Sequence, residues 1–393
     1  MAAIRYIFFW LTGVGALRSP LLRECPMGCR QNNQGRDMSN IRLISTSLDS
    51  IENFIGIPSL TFEQFPTTIK VLENLLISLP TIKPLFPDDV ATNVDYVTRP
   101  LLEKEIQDVS SQKVSEKIGE YTIVVGPTGA GKSFVVARAL GGKEGVIHIL
   151  ISQVYTPASF LGALLESCGK IVDEYELLGL KTLLEVFRKA AKETRGVPVT
   201  LVLEVERGRS SPEVLDSVKC IAKQLAIAAN VILILCEANA GLELGDDDRQ
   251  QFIWVDEMTN MEAETYARKI YPNVSDTDSK LFFGKVNKLP LKIGIFMKAL
   301  KEGASAAELV NQAVDAALDD LKSFTHQEII SLLKYYPDGI RASEFLNMEH
   351  KGVKLALPRQ VAVAMKESNA IVYHLPSREY RFATTAHRTA ATM

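Results

Sequence analysis

The hydrophobic period changes along this chain, and each change marks a different architecture. Between residues 118 and 257, short apolar runs rich in β-branched residues recur at Thr122–Val125, Val146–Ile151, Val199–Val205, Val231–Leu235 and Phe252–Val255. None alternates regularly with polar residues. That pattern predicts strands buried on both faces, as in a parallel sheet covered by helices. Helical spacing fills the gaps at Phe134–Leu140, Pro157–Cys168, Leu178–Glu193 and Pro212–Ala229. Strands alternating with crossover helices predict an α/β, doubly wound domain with a five-stranded parallel sheet over residues 96–257. A helix over Leu101–Val109, with Pro100 at its first position, precedes it.

After residue 257 the strand runs stop. Residues 258–322 read as helical, with one helix opening at Asn260 and another over Lys292–Glu302. Residues 323–393 change again: an amphipathic helix Thr325–Tyr335, a turn at Pro337-Asp338-Gly339, a short helix Ala342–Leu346, and a third helix Pro358–Glu367. Strands Ala370–Leu375 and Tyr380–Thr385 then flank a tight turn. Three helices and a terminal hairpin are the winged-helix plan. Upstream, residues 46–95 carry Pro58, Pro66, Pro80, Pro84 and Pro87 around one helical pattern, Thr67–Leu79, and read as a linker holding a single helix.

The most specific chemistry lies where the first strand ends. Residues 126–133 read Gly126-Pro127-Thr128-Gly129-Ala130-Gly131-Lys132-Ser133 between an apolar run and a helix former. Successive N–H groups of Gly129, Ala130 and Gly131 suit an anion nest. Lys132 suits the β- and γ-phosphates, Ser133 suits Mg²⁺, and the helix start adds a positive dipole. This predicts binding of ATP or a similar triphosphate with Mg²⁺.

The other motifs are weaker alone and gain from their order. A second strand should bring carboxylate to the metal and to the attacking water. Pro198-Val-Thr-Leu-Val-Leu-Glu204-Val-Glu206 has that form, but its acids stand two apart, where the usual spelling is adjacent Asp-Glu. A continuing strand points both to one side. Glu204 is assigned to the metal shell and Glu206 to water activation, against a plain reading as exposed strand-end acids. The fourth strand ends in Glu237-Ala-Asn239; Asn239 is the first choice to meet the γ-phosphate, Glu237 the competitor, and a simple loop role the bland reading. Arg249 before the fifth strand suits either an arginine finger into a neighbouring subunit or a cap for the acidic loop of its own chain. Lys292, opening a helix after Pro290, is either a nucleotide contact or a solvated helix start.

Composition narrows little. The 393 residues, 47% hydrophobic and 23% charged with net charge −3, suit a soluble multidomain protein and exclude a globally basic nucleic-acid binder or a disordered chain. Cys168, Cys220 and Cys236 sit in apolar contexts and read as reduced and buried; Cys25 and Cys29 could bind metal or pair, but lack a second pair. Residues 1–45 hold six Arg, no Lys and only two acids, and the apolar stretch Ile4–Leu17 is short for a membrane span. That composition suits a mitochondrial leader. A secretory signal, or non-native sequence before a start at Met38, are the rivals. The mature protein would then be cytoplasmic, nuclear or secreted.

Tyr96 and Arg99 before the sheet, the P-loop, the acidic strand, the polar end of strand four, Arg249 before strand five and a helical segment after it together resemble an AAA+ P-loop ATPase of the additional-strand class. The Pro290 helix followed by a winged helix is more similar to the STAND, origin-recognition and archaeal-type branches. The block Asp248-Arg249-Gln250 through Phe252-Ile-Trp-Val-Asp-Glu-Met-Thr259 is also similar to ATPase modules of Crinkler and retrotransposon-hot-spot proteins. The resemblance covers residues 96–300 and implies adenine near Tyr96 and Arg99, a lid over residues 258–322, and a nucleotide-dependent switch or remodelling ATPase. The acid spelling and the lack of an Arg after Pro290 depart from the pattern. The alternatives are a DNA-associated origin-recognition-like ATPase and a non-hydrolysing nucleotide-binding scaffold; a small-molecule kinase would need an acceptor site that no motif supplies. Partners follow suit: a protein partner or homo-oligomer, with DNA possible through residues 323–393. Within that segment, nine Lys and Arg face six Asp and Glu, with Arg359, Lys366, Arg378 and Arg381 placed for phosphate. The apolar Val361, Val363, Ala364 and Met365 favour a protein surface or an autoinhibitory contact.

Overall fold

A computed structural model describes residues 96–112, 119–141, 143, 145–156, 159–160, 162–164, 184, 187–188, 198–244, 248–336, 338–345, 349–350, 353–354, 361, 364–365 and 370–393. The leader, Cys25, Cys29, Cys168, the helix at Thr67–Leu79, most of the two helices expected between Pro157 and Glu193, and Arg359 and Lys366 lie outside the described residues.

Helix α1 (Pro100–Ser110) leads into β1 (Tyr121–Val125), α2 (Lys132–Leu140), β2 (Val146–Ile151), β3 (Thr200–Val205), α3 (Pro212–Leu225), β4 (Asn230–Leu235), α4 (Ala240–Glu243) and β5 (Gln250–Trp254). The strands form one parallel sheet in the order β2-β3-β4-β1-β5. β1, β3 and β4 are buried along their whole length, as their unbroken apolar runs require. Period-two geometry sorts their side chains. Odd-numbered residues such as Ile123, Ile149, Leu203 and Leu233 join Leu215, Val218 and Leu225 of α3 in one core. Even-numbered residues such as Val124, Val202, Ile232 and Ile234 pack beneath Ile106 of α1 and Val135, Val136 and Ala139 of α2. Each fully buried branched aliphatic on these faces contributes roughly 1.5–3 kcal/mol.

β5 departs from its expected character. It runs Gln250–Trp254 rather than Phe252–Val255, and only Ile253 of the five is buried. The cause is its edge position: β5 pairs with β1 on one side alone. α3 likewise ends at Leu225, four residues early, because 226–229 must turn the chain so that Asn230 can open β4.

The helical segment resolves into four helices: α5 (Asn260–Ile270), α6 (Asp276–Lys285), α7 (Pro290–Lys301) and α8 (Ala306–Ser323). Thr259 and Glu262 close a reciprocal capping box on α5. Phe282 stacks on Phe296 at 4.1 Å inside the bundle. Downstream come α9 (Gln327–Leu333), β6 (Ile340–Arg341), α10 (Ala342–Phe345), the two-residue strands β7 (Glu349–His350) and β8 (Val353–Lys354), β9 (Ile371–His374), β10 (Glu379–Phe382) and α11 (Thr385–Thr392). β6, β10 and β9 make a three-stranded antiparallel sheet. Two features were not expected. The hairpin gains β6 as a third strand, and Thr384 does not continue β10 but caps α11, accepting from the His387 N–H. One apolar cluster runs through both regions, from Phe282 and Met297 to Ile329, Ile371 and Ala390.

Candidate functional site

The site grows from the carboxyl end of β1. Strand order reverses there, because the chain returns to β4 on one side of β1 and to β5 on the other, and such crevices hold ligands in open α/β sheets. Gly126 leaves β1 so close to β5 that an added Cβ would fall well inside contact with the Val255 carbonyl oxygen, whose own N–H is bonded to Val125 at 2.8 Å. Gly129 and Gly131 both adopt φ 87°, the left-handed region that curls a backbone into a concave loop. The Ala130 N–H is turned into that loop, donating to Pro127 at 3.2 Å.

Lys132 is buried, and its ammonium donates to the carbonyls of Gly126 and Pro127 at 2.9 Å each and of Cys236 at 3.0 Å. Three donors thus meet three acceptors. Burial lowers its pKa to about 8, opposed by the nearby Cys236, Glu204 and Glu237. The Cys236 carbonyl also accepts from Thr128 Oγ1 at 3.3 Å, so the end of β4 is tied to the loop after β1. The Cys236 thiol donates to Val205 at 3.0 Å, and burial pushes it up to about 11, well away from a reactive thiolate.

Ser133 Oγ donates to Glu204 Oε1 at 2.5 Å. Glu204 is the fifth residue of β3 and, as an even-numbered position, faces α2 and not α3. Its other oxygen, Oε2, lies 2.9 Å from Nε2 of His148 on the neighbouring strand β2. A serine hydroxyl and a carboxylate at the head of a phosphate-shaped loop are hard oxygen donors that fit Mg²⁺, an ion held through one or two carboxylates together with substrate phosphates. No group of three or more His, Cys, Asp or Glu placed to hold a metal occurs among the described residues. Glu206 lies beyond the end of β3; its N–H donates to Ile151 at 2.9 Å, extending the ladder by one bond, and its side chain is half-buried. Glu204 and Glu206 therefore stand in different settings, one locked against Ser133 and one at a strand exit.

The remaining residues singled out from the sequence are dispersed. Asn239 Nδ2 donates to the carbonyls of Met365 at 3.0 Å and Ile371 at 3.4 Å, so the end of β4 is joined to the C-terminal region. Arg249 precedes β5, where Tyr121 pairs with Gln250 and Val125 with Trp254. It thus sits at the other end of the strand from the P-loop, about 16 Å away at roughly 3.3 Å per residue. Its guanidinium donates to Lys223 of α3 at 3.4 Å, an engagement within its own chain. Arg99 is buried against the passage from β5 into α5, with Nη2 donating to the Glu257 carbonyl at 3.1 Å and Nε 3.8 Å from Glu262. Its Nη1 is buried without a hydrogen-bond partner among the described residues. Tyr96 is nearer the cradle: it stacks on Phe134 of α2 at 6.4 Å, with Arg138 5.0 Å from its ring centre. Lys292 opens on the surface of α7, yet protein mass around it and the Arg207 guanidinium lower its pKa.

Four contributors were missed. His148 is a lone imidazole in the apolar run of β2, which was the available signal. Leu291 donates its N–H to the Gly129 carbonyl at 3.3 Å, so the P-loop satisfies a first-turn donor of α7. Its side chain lies where a Cβ on Gly129 would meet it at 2.9 Å. Nothing in the local pattern of α7 points to that contact. Leu375, in the turn after β9, packs on the sheet core beside Gly241, and His374 meets the Trp254 ring at 4.6 Å.

No protein-family profile matches the sequence, and no curated protein does. Among solved structures, the Walker-type ATPase of Pyrococcus abyssi aligns at 13% identity over 81% of this chain and 100% of its own, with a TM-score of 0.50. A STAND protein with a tetratricopeptide repeat sensor from Pyrococcus horikoshii aligns at 13% identity over 75% of this chain and 42% of its own, TM-score 0.33. The Drosophila origin recognition complex bound to DNA aligns at 13% identity over 61% and 65%, also TM-score 0.33. The first likeness gives the fold, that of a P-loop ATPase; the other two are too loose to carry argument. Among the described residues no helix is long and apolar enough to cross a membrane.

Proposed function

We propose that this chain binds ATP with Mg²⁺ between its sheet and residues 258–322, and uses the nucleotide as a switch for its C-terminal region. The observation that carries the reading is the Ser133–Glu204 contact at the head of the Gly126–Lys132 loop: a lysine, a hydroxyl and a carboxylate converge where phosphates and a metal would lie. Mg²⁺, when bound there, would supply positive charge to offset that of the phosphates. Lys132 is poised to exchange its carbonyl partners for phosphate oxygens. Ser133 and Glu204 would hold the metal, and Glu206, at the strand exit, is placed to orient water. On this reading residues 258–322 act as a lid and residues 323–393 as a winged-helix domain whose hairpin turn rests on the sheet. Asn239 couples the two, since an amide that meets Met365 and Ile371 cannot at the same time turn to a γ-phosphate. A protein-facing, autoinhibitory role for the hairpin fits better than DNA, because Arg381 is engaged by Glu379 at 2.6 Å and by Ser377 at 3.2 Å.

The test is equilibrium binding of a fluorescent ATP analogue together with turnover. Lys132→Ala should weaken binding on the order of 100-fold, as loss of a charge-assisted phosphate contact does. Glu204→Gln should keep binding without Mg²⁺ and lose turnover. Wild-type binding that equals Lys132→Ala would sink the nucleotide reading. Binding without turnover in wild type would leave the scaffold function, and turnover stimulated by duplex DNA would favour the origin-recognition-like alternative.

A further inference from the structure

We infer that His148 is the positioning residue of the metal site, the tether that lets a glutamate serve where the usual spelling places the shorter aspartate. The inference rests on the reading of Ser133 and Glu204 as the Mg²⁺ pair. Glu204 carries one more methylene than Asp and one more rotatable bond, so its carboxylate needs a second hold to stay at the P-loop serine. His148 supplies it. The pairing of β2 with β3 sets His148 beside Val202 and Leu150 beside Glu204, so His148 and Glu204 share one face of the sheet, a diagonal apart. Their side chains are 7% and 8% exposed, and Nε2 and Oε2 are 2.9 Å apart. With Oε1 on Ser133, each carboxylate oxygen has a named partner.

This accounts for two oddities together. The acidic strand spells its metal acid as Glu, and β2 places an imidazole in an otherwise apolar run, where burying a polar ring without a partner costs free energy. Each residue satisfies the other. Outer partners of this kind, when lost, typically reduce metal affinity about 10–100-fold while leaving the ligands in place.

The experiment titrates Mn²⁺, a paramagnetic stand-in for Mg²⁺, into the full chain with a slowly hydrolysed ATP analogue and reads bound metal by electron paramagnetic resonance. Glutamine and asparagine discriminate the role: the Gln amide nitrogen overlies Nε2 of the imidazole and reaches Oε2, whereas that of Asn falls short. His148→Gln should hold metal within about threefold of wild type, and His148→Asn should weaken it about tenfold or more. Metal-free binding of the analogue should be unchanged in both. Equal metal affinity in the two variants, whether both like wild type or both weak, would overturn the assignment. So would a loss of metal-free nucleotide binding in step with metal, which marks a general packing role. A wild type that binds neither analogue nor metal overturns the nucleotide reading itself, a different outcome from a wild type that binds both and is indifferent to position 148.

Discussion

The crevice at the carboxyl end of the sheet has two walls built on opposite principles. On the β1 side the loop is shaped from within: Lys132 folds onto carbonyls five and six residues back, and Gly129 and Gly131 set its path by their own backbone angles. Its remote contacts, from Lys132 and Thr128 to Cys236 and from Ser133 to Glu204, run mostly to neighbouring strands of the same sheet. On the side where β4 and β5 end, the contacts are remote. Asn239 is held by carbonyls 126 and 132 residues onward, Trp254 by the ring of His374, and the sheet-to-lid passage by Arg99 from 158 residues upstream. A wall shaped by its own backbone and by the sheet depends on residues 258–393 chiefly at one point, the Leu291–Gly129 contact. A wall held from afar changes when those regions move. The first is suited to binding and the second to reporting that something is bound, which is the division a nucleotide switch needs.

The hardest way to break that contrast is at Gly126. A methyl group there must push β5 away from β1, since the Val255 carbonyl cannot retreat while its N–H is bonded to Val125. Overpacking against fixed backbone costs about 3 kcal/mol or more. Gly126→Ala should therefore lower the unfolding temperature of the full chain and abolish nucleotide binding together. Unchanged melting by calorimetry would mean that the near wall is less rigid than its backbone contacts require.

The near wall was also the legible one. Gly126–Ser133 and the alternation of buried runs specify their structure through residues adjacent in sequence, and the sheet follows from strands that can be buried only on both faces. The far wall was not legible, because which carbonyl Asn239 meets depends on where Met365 and Ile371 arrive, and no local pattern encodes that. Glu204 lies between these cases. Its place on an apolar strand was readable, whereas its partner His148 required the β2–β3 register. Thr384 shows the same limit on a small scale: a threonine after a β-rich run reads as strand, yet capping the His387 N–H turns the chain into α11.

A milder probe is Asn239→Ala. It removes two donated bonds to the C-terminal region, and a buried hydrogen bond is worth about 0.5–1.5 kcal/mol net. Release of bound nucleotide should quicken by roughly threefold to tenfold, because the amide that would turn from the C-terminal carbonyls to the γ-phosphate is gone. Stopped-flow displacement of a fluorescent analogue reads this directly. If Asn239→Ala and wild type release nucleotide at the same rate, the far wall does not report on the site, and the two walls differ in sequence range alone.

The smallest effect is expected at the passage from β5 to the lid. Burial raises the Glu257 carboxyl from an ordinary 4.5 to about 7, with Asp256 adding to the rise and Lys288 opposing it. Between those two values the folded chain holds a proton that the unfolded chain has lost. Stability from this group is accordingly full below about pH 4.5, falls as pH rises through about 7, and is flat above. Glu257 is half-buried, so water screens part of the effect, and a loss on the order of 1 kcal/mol between about pH 5 and pH 7.5 is expected. Other carboxylates titrate in the same range, which makes the difference between wild type and Glu257→Gln the informative quantity. Denaturation midpoints measured across that window should fall more steeply in wild type than in Glu257→Gln. Gln keeps the neutral shape and leaves the backbone carbonyl that receives Arg99 in place. Parallel slopes would mean that this carboxyl meets water freely, and the far wall would then owe its hold on the lid to Arg99 and the apolar cluster without help from a buried acid.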